Sequence, residues 1–332
     1  MVIIMANFNQ IVGHEQIIEH FQNSIRNQSV SHAYLLSGEN GSGKMLLANA
    51  FAKTLQCEQG GINPCGTCKS CLQAESGNHP DIIYVTHEKL SISVDDIRSQ
   101  VNQTIDIKPY SSKYKIYIIN EASKMTEQAQ NALLKTIEEP PAYAVILLLT
   151  ENPGSLLQTI LSRCVQLELK QVDKTKVTKY VAERLNISEE QASTAANFAQ
   201  GNIGKAIRYA SSESFLDNKN DVLRLLKQID EMEIPDIISI IRHFGEHKAE
   251  INDTLDLMLL WYRDVLMFKA TNDANILLYR EEYRAISEQA KKRNYDNIEN
   301  IIKAIQKAKI RLNANVNFDT AMELMLLTLR ES

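Results

Sequence analysis

A glycine-rich segment that ends in lysine is the part of this sequence best suited to binding phosphate. Residues 38–45 read Gly-Glu-Asn-Gly-Ser-Gly-Lys-Met. The pattern G-x-x-x-x-G-K lets backbone N–H groups surround phosphate oxygens, and its lysine reaches the outer phosphates. We predict a nucleotide site whose phosphate-binding residues are Gly38, Gly41, Gly43 and Lys44. The alternative is a glycine-rich turn that only precedes a helix.

Two departures from the pattern weaken the metal-binding part of this predicted site. Met45 stands where Ser or Thr normally offers a hydroxyl to Mg²⁺, and a thioether is a poor ligand for that hard cation. The apolar run 116–119 ends in Asn120 and Glu121, where such ATPases have an Asp that holds Mg²⁺ and a residue that orients water. Asn120 lacks the negative charge. We therefore expect no ATP hydrolysis, although the loop remains compatible with bound ATP or ADP. Alternatively, Asn120 only ends a strand and Glu121 is an exposed carboxylate.

Four cysteines with metal-ligand spacing follow the glycine loop. They form the pattern C-x7-C-x2-C-x2-C and are Cys57, Cys65, Cys68 and Cys71. Four thiolates so close in sequence suit tetrahedral zinc, and no position is left open for a reactive water, so the predicted zinc is structural. Four free thiols are the alternative, and His79 is a further candidate ligand.

Arg163 lies in the segment Ser162-Arg163-Cys164, between a short apolar helix and the run 165–169. A guanidinium supplied by a neighbouring subunit can stabilise the charge that develops on a transferred phosphoryl group. From the residues alone, an ordinary surface arginine is the simpler interpretation.

The elements that must position these residues are visible in the hydrophobic pattern. Continuous apolar runs at 34–37, 82–85, 116–119 and 145–149 are typical of strands covered on both faces of a parallel sheet. Helical periodicity separates several of them, including 126–138, which Pro140 ends. The sequence thus predicts an α/β domain to about residue 170, a small helical part at 171–210 and a larger helical domain at 211–332.

Composition excludes several classes of protein. The chain has 332 residues with a net charge of −5, so it has no overall attraction to nucleic acid or anionic membranes. The longest apolar stretch, 255–267, contains Asp256, Arg263 and Asp264, which argues against a membrane span. The segment 1–5 is too short and lacks the basic flank of a signal peptide. We expect a cytoplasmic protein without membrane contact.

Two longer motifs resemble the bacterial clamp-loader AAA+ family. Residues 129–141 read Ala-Gln-Asn-Ala-Leu-Leu-Lys-Thr-Ile-Glu-Glu-Pro-Pro, and residues 160–164 read Ile-Leu-Ser-Arg-Cys. The cysteine cluster after the first helix of the ATPase domain also belongs to that pattern, as do Val12-Gly13-His14, where the family packs the nucleotide base, and the tail 312–317. The resemblance covers essentially the whole chain.

The resemblance implies a fold and a complex. The fold is an AAA+ P-loop domain at 1–170 with a zinc-binding insertion at 57–71, a helical lid at 171–210 and an oligomerisation collar at 211–332. The complex is a five-subunit ring of motor (gamma/tau) and delta-type subunits, part of the DNA polymerase III holoenzyme, that loads the sliding clamp onto primed DNA.

Within that family the residues favour a subunit that does not hydrolyse ATP. Met45 and Asn120 spoil the metal site, and Gly204 stands where the motor subunit has its second-sensor arginine. Arg163 is intact, so the resemblance implies an arginine finger that reaches the neighbouring motor subunit's ATP site. An active motor-type ATPase is the first alternative. A zinc-bearing DNA-binding module is the second, and the acidic charge disfavours it.

Overall fold

The structure is a computed structural model that describes residues 7–212, 214–314 and 316–332. The predicted absence of a signal peptide at 1–5 and Asn315 of the tail motif lie outside the described residues. The chain forms two compact units, Met1–Arg208 and Tyr209–Ser332.

A five-stranded parallel sheet forms the centre of the first unit. Its strands are β1 (Ala33–Ser37), β2 (Ile82–Val85), β3 (Lys115–Ile119), β4 (Ala144–Thr150) and β5 (Val165–Glu168), in the spatial order β2-β3-β4-β1-β5. Every pairing is parallel. The predicted α/β class with a parallel sheet is therefore confirmed.

Nine α-helices begin among the residues that the structure describes in this unit. They are α1 (Glu15–Arg26), α2 (Lys44–Gln56), α3 (Lys69–Glu75), α4 (Val94–Ile97, continued by a π-helix at Arg98–Asn102), α5 (Glu127–Glu138), α6 (Gln158–Leu161), α7 (Lys174–Leu185), α8 (Glu189–Ala199) and α9 (Ile203–Ser211). Their ends follow local sequence. Thr126 caps α5 by accepting from the N–H of Ala129 at 3.2 Å, and Ser188 forms a capping box with Gln191 at the start of α8.

Alternate residues of each strand enter two separate apolar layers, which explains the continuous runs in the sequence. Tyr34 and Leu36 of β1 pack in one layer with Phe21 of α1 and Phe51 of α2. Leu35 of β1 packs in the opposite layer, which α5 and α6 cover. Both faces of the sheet are therefore covered by apolar side chains, as is usual for a parallel sheet.

All the secondary-structure elements that the structure describes in the second unit are helices. Its main helices are α10 (Ser214–Gln228), α11 (Ile234–Glu246), α12 (Ile251–Thr271), α13 (Tyr283–Lys292), α14 (Tyr295–Asn313) and α15 (Phe318–Glu331). The helix α12 is central, and its Trp261 is fully buried and donates from Nε1 to Gln289 at 2.9 Å. Asp264, also fully buried, accepts the backbone N–H groups of Leu278 and Tyr279 at 2.6 and 2.8 Å. Among the described helices of the whole chain, none is long and apolar enough to cross a membrane.

Candidate functional site

The glycine loop joins the end of β1 to the start of α2, the strand–loop–helix context that the sequence predicts. Gly41 and Gly43 have φ of +83° and +102°, a left-handed conformation that side-chain-bearing residues rarely adopt. His14 lies against the loop, and its ring nitrogen Nε2 is 3.0 Å from the carbonyl oxygen of Ser42. Since that carbonyl can only accept, Nε2 carries the proton and donates.

Lys44 is folded back onto the loop. Its Nζ donates to the carbonyl oxygens of Gly38 at 2.6 Å and Glu39 at 2.8 Å. Burial lowers the pKa of Lys44, and the nearby carboxylates of Glu151 and Glu39 oppose that shift. The ammonium thus bonds to the loop's own carbonyls in the place where it would otherwise meet phosphate.

The start of α9 closes over the glycine loop. The N–H of Gly204 donates to the carbonyl oxygen of Gly41 at 3.0 Å, and Asn202 Nδ2 donates to the carbonyl oxygen of Asn40 at 2.8 Å. Lys205 forms an ion pair with Glu39 at 3.2 Å. A Cβ on Gly204 would lie 2.7 Å from both Cα and O of Gly41, so only glycine permits this approach. Sequence reasoning noticed Gly204 as a missing arginine, but it missed the contact and the partners Asn202 and Glu39.

The remaining predicted nucleotide residues are Met45, Asn120 and Glu121, which follow the ends of β1 and β3 at the same edge of the parallel sheet. Met45 is half-buried and packs against the apolar layer beneath the loop. Glu121 has a left-handed φ of 52°, and its carboxylate pairs with Lys124 at 2.7 Å and lies 3.9 Å from His87 Nε2. Among the described residues that line the cleft beside the loop, neither Asn120 nor Glu121 is found.

That cleft is acidic. It has a volume of about 630 Å³, and Glu39, Glu151 and Glu168 line it together with the single cation Lys170 among the described residues. The carboxylates of Glu151 and Glu168 would repel an anionic ligand in this cleft, whereas Lys205 partly neutralises Glu39.

The four cysteines come together as predicted. Their Sγ atoms lie within 4.8 Å of one another, and those of Cys65 and Cys71 are 3.9 Å apart. A Zn–S distance of about 2.3 Å places tetrahedral sulfurs about 3.8 Å apart, so the donor set fits zinc. Backbone N–H groups of Thr67 and Cys68 lower the pKa of Cys65 to about 6, which favours the thiolate that binds metal.

His79 lies outside the cysteine cluster. Its Nδ1 accepts the N–H of Asp81 at 3.1 Å, so the proton is on Nε2, which donates to Ser70 Oγ at 2.9 Å. Burial lowers the pKa of His79. In this tautomer the ring cannot take a proton from Ser70, and Ser70 Oγ donates to the carbonyl oxygen of Gln56 at 2.6 Å. The three residues Ser70, His79 and Asp81 therefore form a structural network and not a hydrolytic triad.

Arg163 follows α6 and is partly exposed, with 40% of its side chain accessible. Its Nη1 donates to the carbonyl oxygen of Thr159 at 3.0 Å, and its Nη2 forms an ion pair with Glu138 at 2.9 Å. The adjacent Cys164 is half-buried, and burial raises the pKa of its thiol to about 11, so it remains a neutral thiol at neutral pH.

The strand register separates Arg163 from the chain's own glycine loop. In β5, Val165 pairs with Tyr34 and Glu168 pairs with Ser37. Arg163 therefore lies at the edge of the sheet where strands begin, and the glycine loop lies at the edge where they end. Four residues of strand correspond to roughly 13 Å. Among the predicted site residues, the structure brings together the four cysteines, but it does not bring Arg163 to Lys44.

Comparison with known proteins gives one consistent group of relatives. A family model described as DNA polymerase III, delta subunit, matches residues 13–173. The DNA polymerase III subunit delta' of Bacillus subtilis is 33% identical over 319 residues, which cover 95% of this chain and 96% of that protein.

Subunits tau and gamma of DNA polymerase III are also similar to this chain. The subunit tau of Bacillus subtilis is 27% identical over 95% of this chain and 60% of that protein. The subunit tau/gamma of Haemophilus influenzae is 39% identical over 59% of this chain and 29% of that protein. A solved gamma subunit-related protein of Thermotoga maritima aligns over 95% of this chain and 98% of its own, with a TM-score of 0.41 and 19% identity.

Proposed function

Because the chain belongs to the family of DNA polymerase III delta-prime subunits, which are clamp-loader components, we propose that it lends Arg163 to a neighbouring motor subunit without hydrolysing ATP itself. In this role it closes one end of the row of ATP sites in the ring. The motor and delta subunits would be its direct partners, and the sliding clamp and primed DNA would be reached through the complex.

The position of Arg163 on the sheet is the observation that carries the proposal. It precedes β5, at the opposite sheet edge from the glycine loop, so it cannot serve the ATP site of its own chain. Its guanidinium is exposed and ordered by Thr159 and Glu138, which suits a group that must reach a phosphate across an interface. This geometry supports a role for Arg163 at the ATP site of a neighbouring subunit.

The absence of hydrolysis is supported by where the site residues point. Met45 packs into an apolar layer, Lys44 bonds to loop carbonyls, and Lys124 neutralises Glu121. No group among these is placed to hold Mg²⁺ or to orient water. The acidic cleft and the contact of Gly204 with Gly41 also oppose nucleotide binding, so we expect weak affinity for ATP or ADP.

We further propose one structural zinc per chain, held by the four cysteines. The tetrahedral spacing of the sulfurs supports it, and α3 begins within the cluster at Lys69, capped by Cys68.

The second unit would form the collar of the ring. Its described helices carry exposed apolar side chains that other subunits could cover, namely Leu216, Ile238, Ile310 and Leu324.

The test is a ring reconstituted with purified motor and delta subunits, in which only this chain is varied. Removing an arginine finger reduces turnover on the order of 10³-fold at the site it serves. We therefore expect Arg163→Ala to lower ATP hydrolysis and clamp loading on primed DNA. The matched control is Arg184→Ala, because Arg184 is an exposed arginine of the same unit whose Nη1 donates to Tyr180. Equal activity in the two variant rings would refute the role of Arg163.

An active motor-type ATPase is the competing function, since tau-type proteins are also relatives. It requires Mg²⁺-dependent ATP turnover by the chain alone, which Lys44→Ala should abolish. The thioether of Met45 and the uncharged amide of Asn120 disfavour a catalytic metal.

A further inference from the structure

Glu138 is the charged group nearest to the Arg163 guanidinium. It is the last residue of α5, and its Oε1 lies 2.9 Å from Nη2 of Arg163. The two side chains are 45% and 40% exposed, so the pair sits at the surface and is not a buried structural ion pair. The neighbouring Glu139 is also exposed and forms no ion pair with any residue that the structure describes.

A second residue of α5 fixes the backbone that carries Arg163. Gln130 is buried, accepts the N–H of Leu157 at 2.7 Å and donates to the carbonyl oxygen of Ser155 at 3.2 Å. These bonds hold the start of α6 against α5. At the other end of this segment, Glu138 contacts the guanidinium of Arg163.

The contacts of Arg163 occupy one side of its guanidinium. Nη1 donates to Thr159 and, at 3.4 Å, to Ser162 Oγ, whereas Nε donates no hydrogen bond to any of the described residues. A free arginine side chain loses rotamer entropy when it is fixed in one orientation. A group that holds the guanidinium in one orientation before the phosphate arrives lowers the entropy that is lost in the catalytic step.

We propose that Glu138 is a positioning residue for Arg163. This inference rests on the proposed arginine-finger function. The carboxylate holds Nη2, Thr159 and Ser162 hold Nη1, and the Nε side of the guanidinium stays available to a phosphate oxygen of the neighbouring subunit. Glu138 touches no substrate and acts only through Arg163.

The effect of removing the carboxylate should be moderate and confined to turnover. An exposed ion pair is weak, so Glu138→Gln should lower kcat of the ring roughly two- to fivefold, while KM for ATP stays unchanged. KM should not move because the finger stabilises charge that develops only in the transition state. Stability of the chain should also be close to that of the wild type.

The experiment compares four variants in the reconstituted ring, namely Glu138→Gln, Glu139→Gln, Arg163→Ala and the double variant Glu138→Gln/Arg163→Ala. Glu139→Gln is the matched control, because it removes the same charge one residue away without a contact to Arg163. We expect it to match the wild type, whereas Glu138→Gln lowers kcat. In the double variant Glu138→Gln/Arg163→Ala, we expect no further loss beyond that of Arg163→Ala alone, since the carboxylate has nothing left to position.

Failure of the inference and failure of the proposed function give different results. If Arg163→Ala lowers turnover but Glu138→Gln behaves like Glu139→Gln, or raises kcat, Glu138 is not a positioning residue. If Glu138→Gln lowers turnover equally with and without Arg163, it acts by another route and the inference is wrong. If Arg163→Ala itself has no effect on turnover, the proposed function is wrong, and the role of Glu138 that rests on it is wrong as well.

Discussion

Met45 and Glu121 illustrate how single side chains decide the chemistry of this protein. The thioether packs under the glycine loop with apolar neighbours, and the carboxylate pairs with Lys124. We propose that Met45 and Asn120 each weaken a magnesium site, Met45 through its thioether and Asn120 through its missing negative charge. The loop would then have the shape of a phosphate site without the groups that hold the metal.

The cysteine cluster gives a prediction at the residue scale. Metal analysis of protein prepared without chelator should find close to one zinc per chain. The double variant Cys65→Ser/Cys68→Ser should lose it, because two of the four ligands are gone. The matched control is Cys164→Ser. That cysteine lies outside the cluster, so the variant protein should still bind zinc. Wild-type protein without zinc would contradict the assignment.

His79 gives a pH prediction. Its folded-state pKa lies below 6.5 because burial disfavours the charged ring. The unfolded chain therefore binds more protons than the folded chain as pH falls below about 6.5, and His79 makes the free energy of unfolding decrease there. At higher pH both states are neutral at this residue and the effect vanishes.

The measurement is urea unfolding followed by circular dichroism at pH 8 and at pH 5.5, for the wild type and His79→Asn. The variant should be less stable at pH 8, by about 1 kcal/mol, because the bond to Ser70 is lost. The difference between the two proteins should shrink at pH 5.5. A constant difference at both pH values would contradict the shifted pKa.

At the scale of elements, the contact between α9 and the glycine loop has the largest consequence. It joins residues about 160 positions apart in sequence through Gly204 and Gly41, and it covers the loop with the chain's own backbone. The local sequence does not predict this contact, because a glycine at the start of a helix occurs in many different loops.

Gly204→Ala tests that contact. A Cβ would meet Gly41 at 2.7 Å, so we expect a loss of about 1–3 kcal/mol in the free energy of unfolding, despite the better helix propensity of alanine. The control is Gly245→Ala in α11, where the nearest atom, on Phe318, is 3.6 Å away, an ordinary contact. That variant should gain up to about 1 kcal/mol. Similar stability of the two variants would show that α9 does not press on the loop.

Much of the element pattern was predictable from the sequence. The four continuous apolar runs all proved to be strands, and the helix at 126–138 matches α5. The strand β5 was not identified as one, because it is an edge strand whose residues alternate between half-buried and exposed and carry the polar Gln166 and Glu168. The cysteine cluster was predictable because its ligands are close in sequence. The pairing of Glu121 with Lys124 and of Arg163 with Glu138 depends on side-chain direction, which spacing does not reveal.

At the scale of the whole molecule, the chain combines a unit built on a parallel sheet with a helical unit, and we propose that the first lends Arg163 and that the second takes part in assembly. The acidic net charge of −5 gives the chain alone no general attraction to DNA. Its proposed work is therefore done inside a ring, where neighbouring subunits provide the ATP sites. This division of labour is what the delta-prime membership and the register of β5 jointly support.

Steady-state ATP hydrolysis tests the central claim most directly. It should be measured with Mg²⁺ and primed DNA for the folded chain alone and for rings that contain either wild-type chain or Arg163→Ala. We predict no turnover by the chain alone, full turnover by the wild-type ring and a large loss in the Arg163→Ala ring. Turnover by the chain alone that Lys44→Ala abolishes, or an Arg163→Ala ring as active as the wild type, would contradict the account.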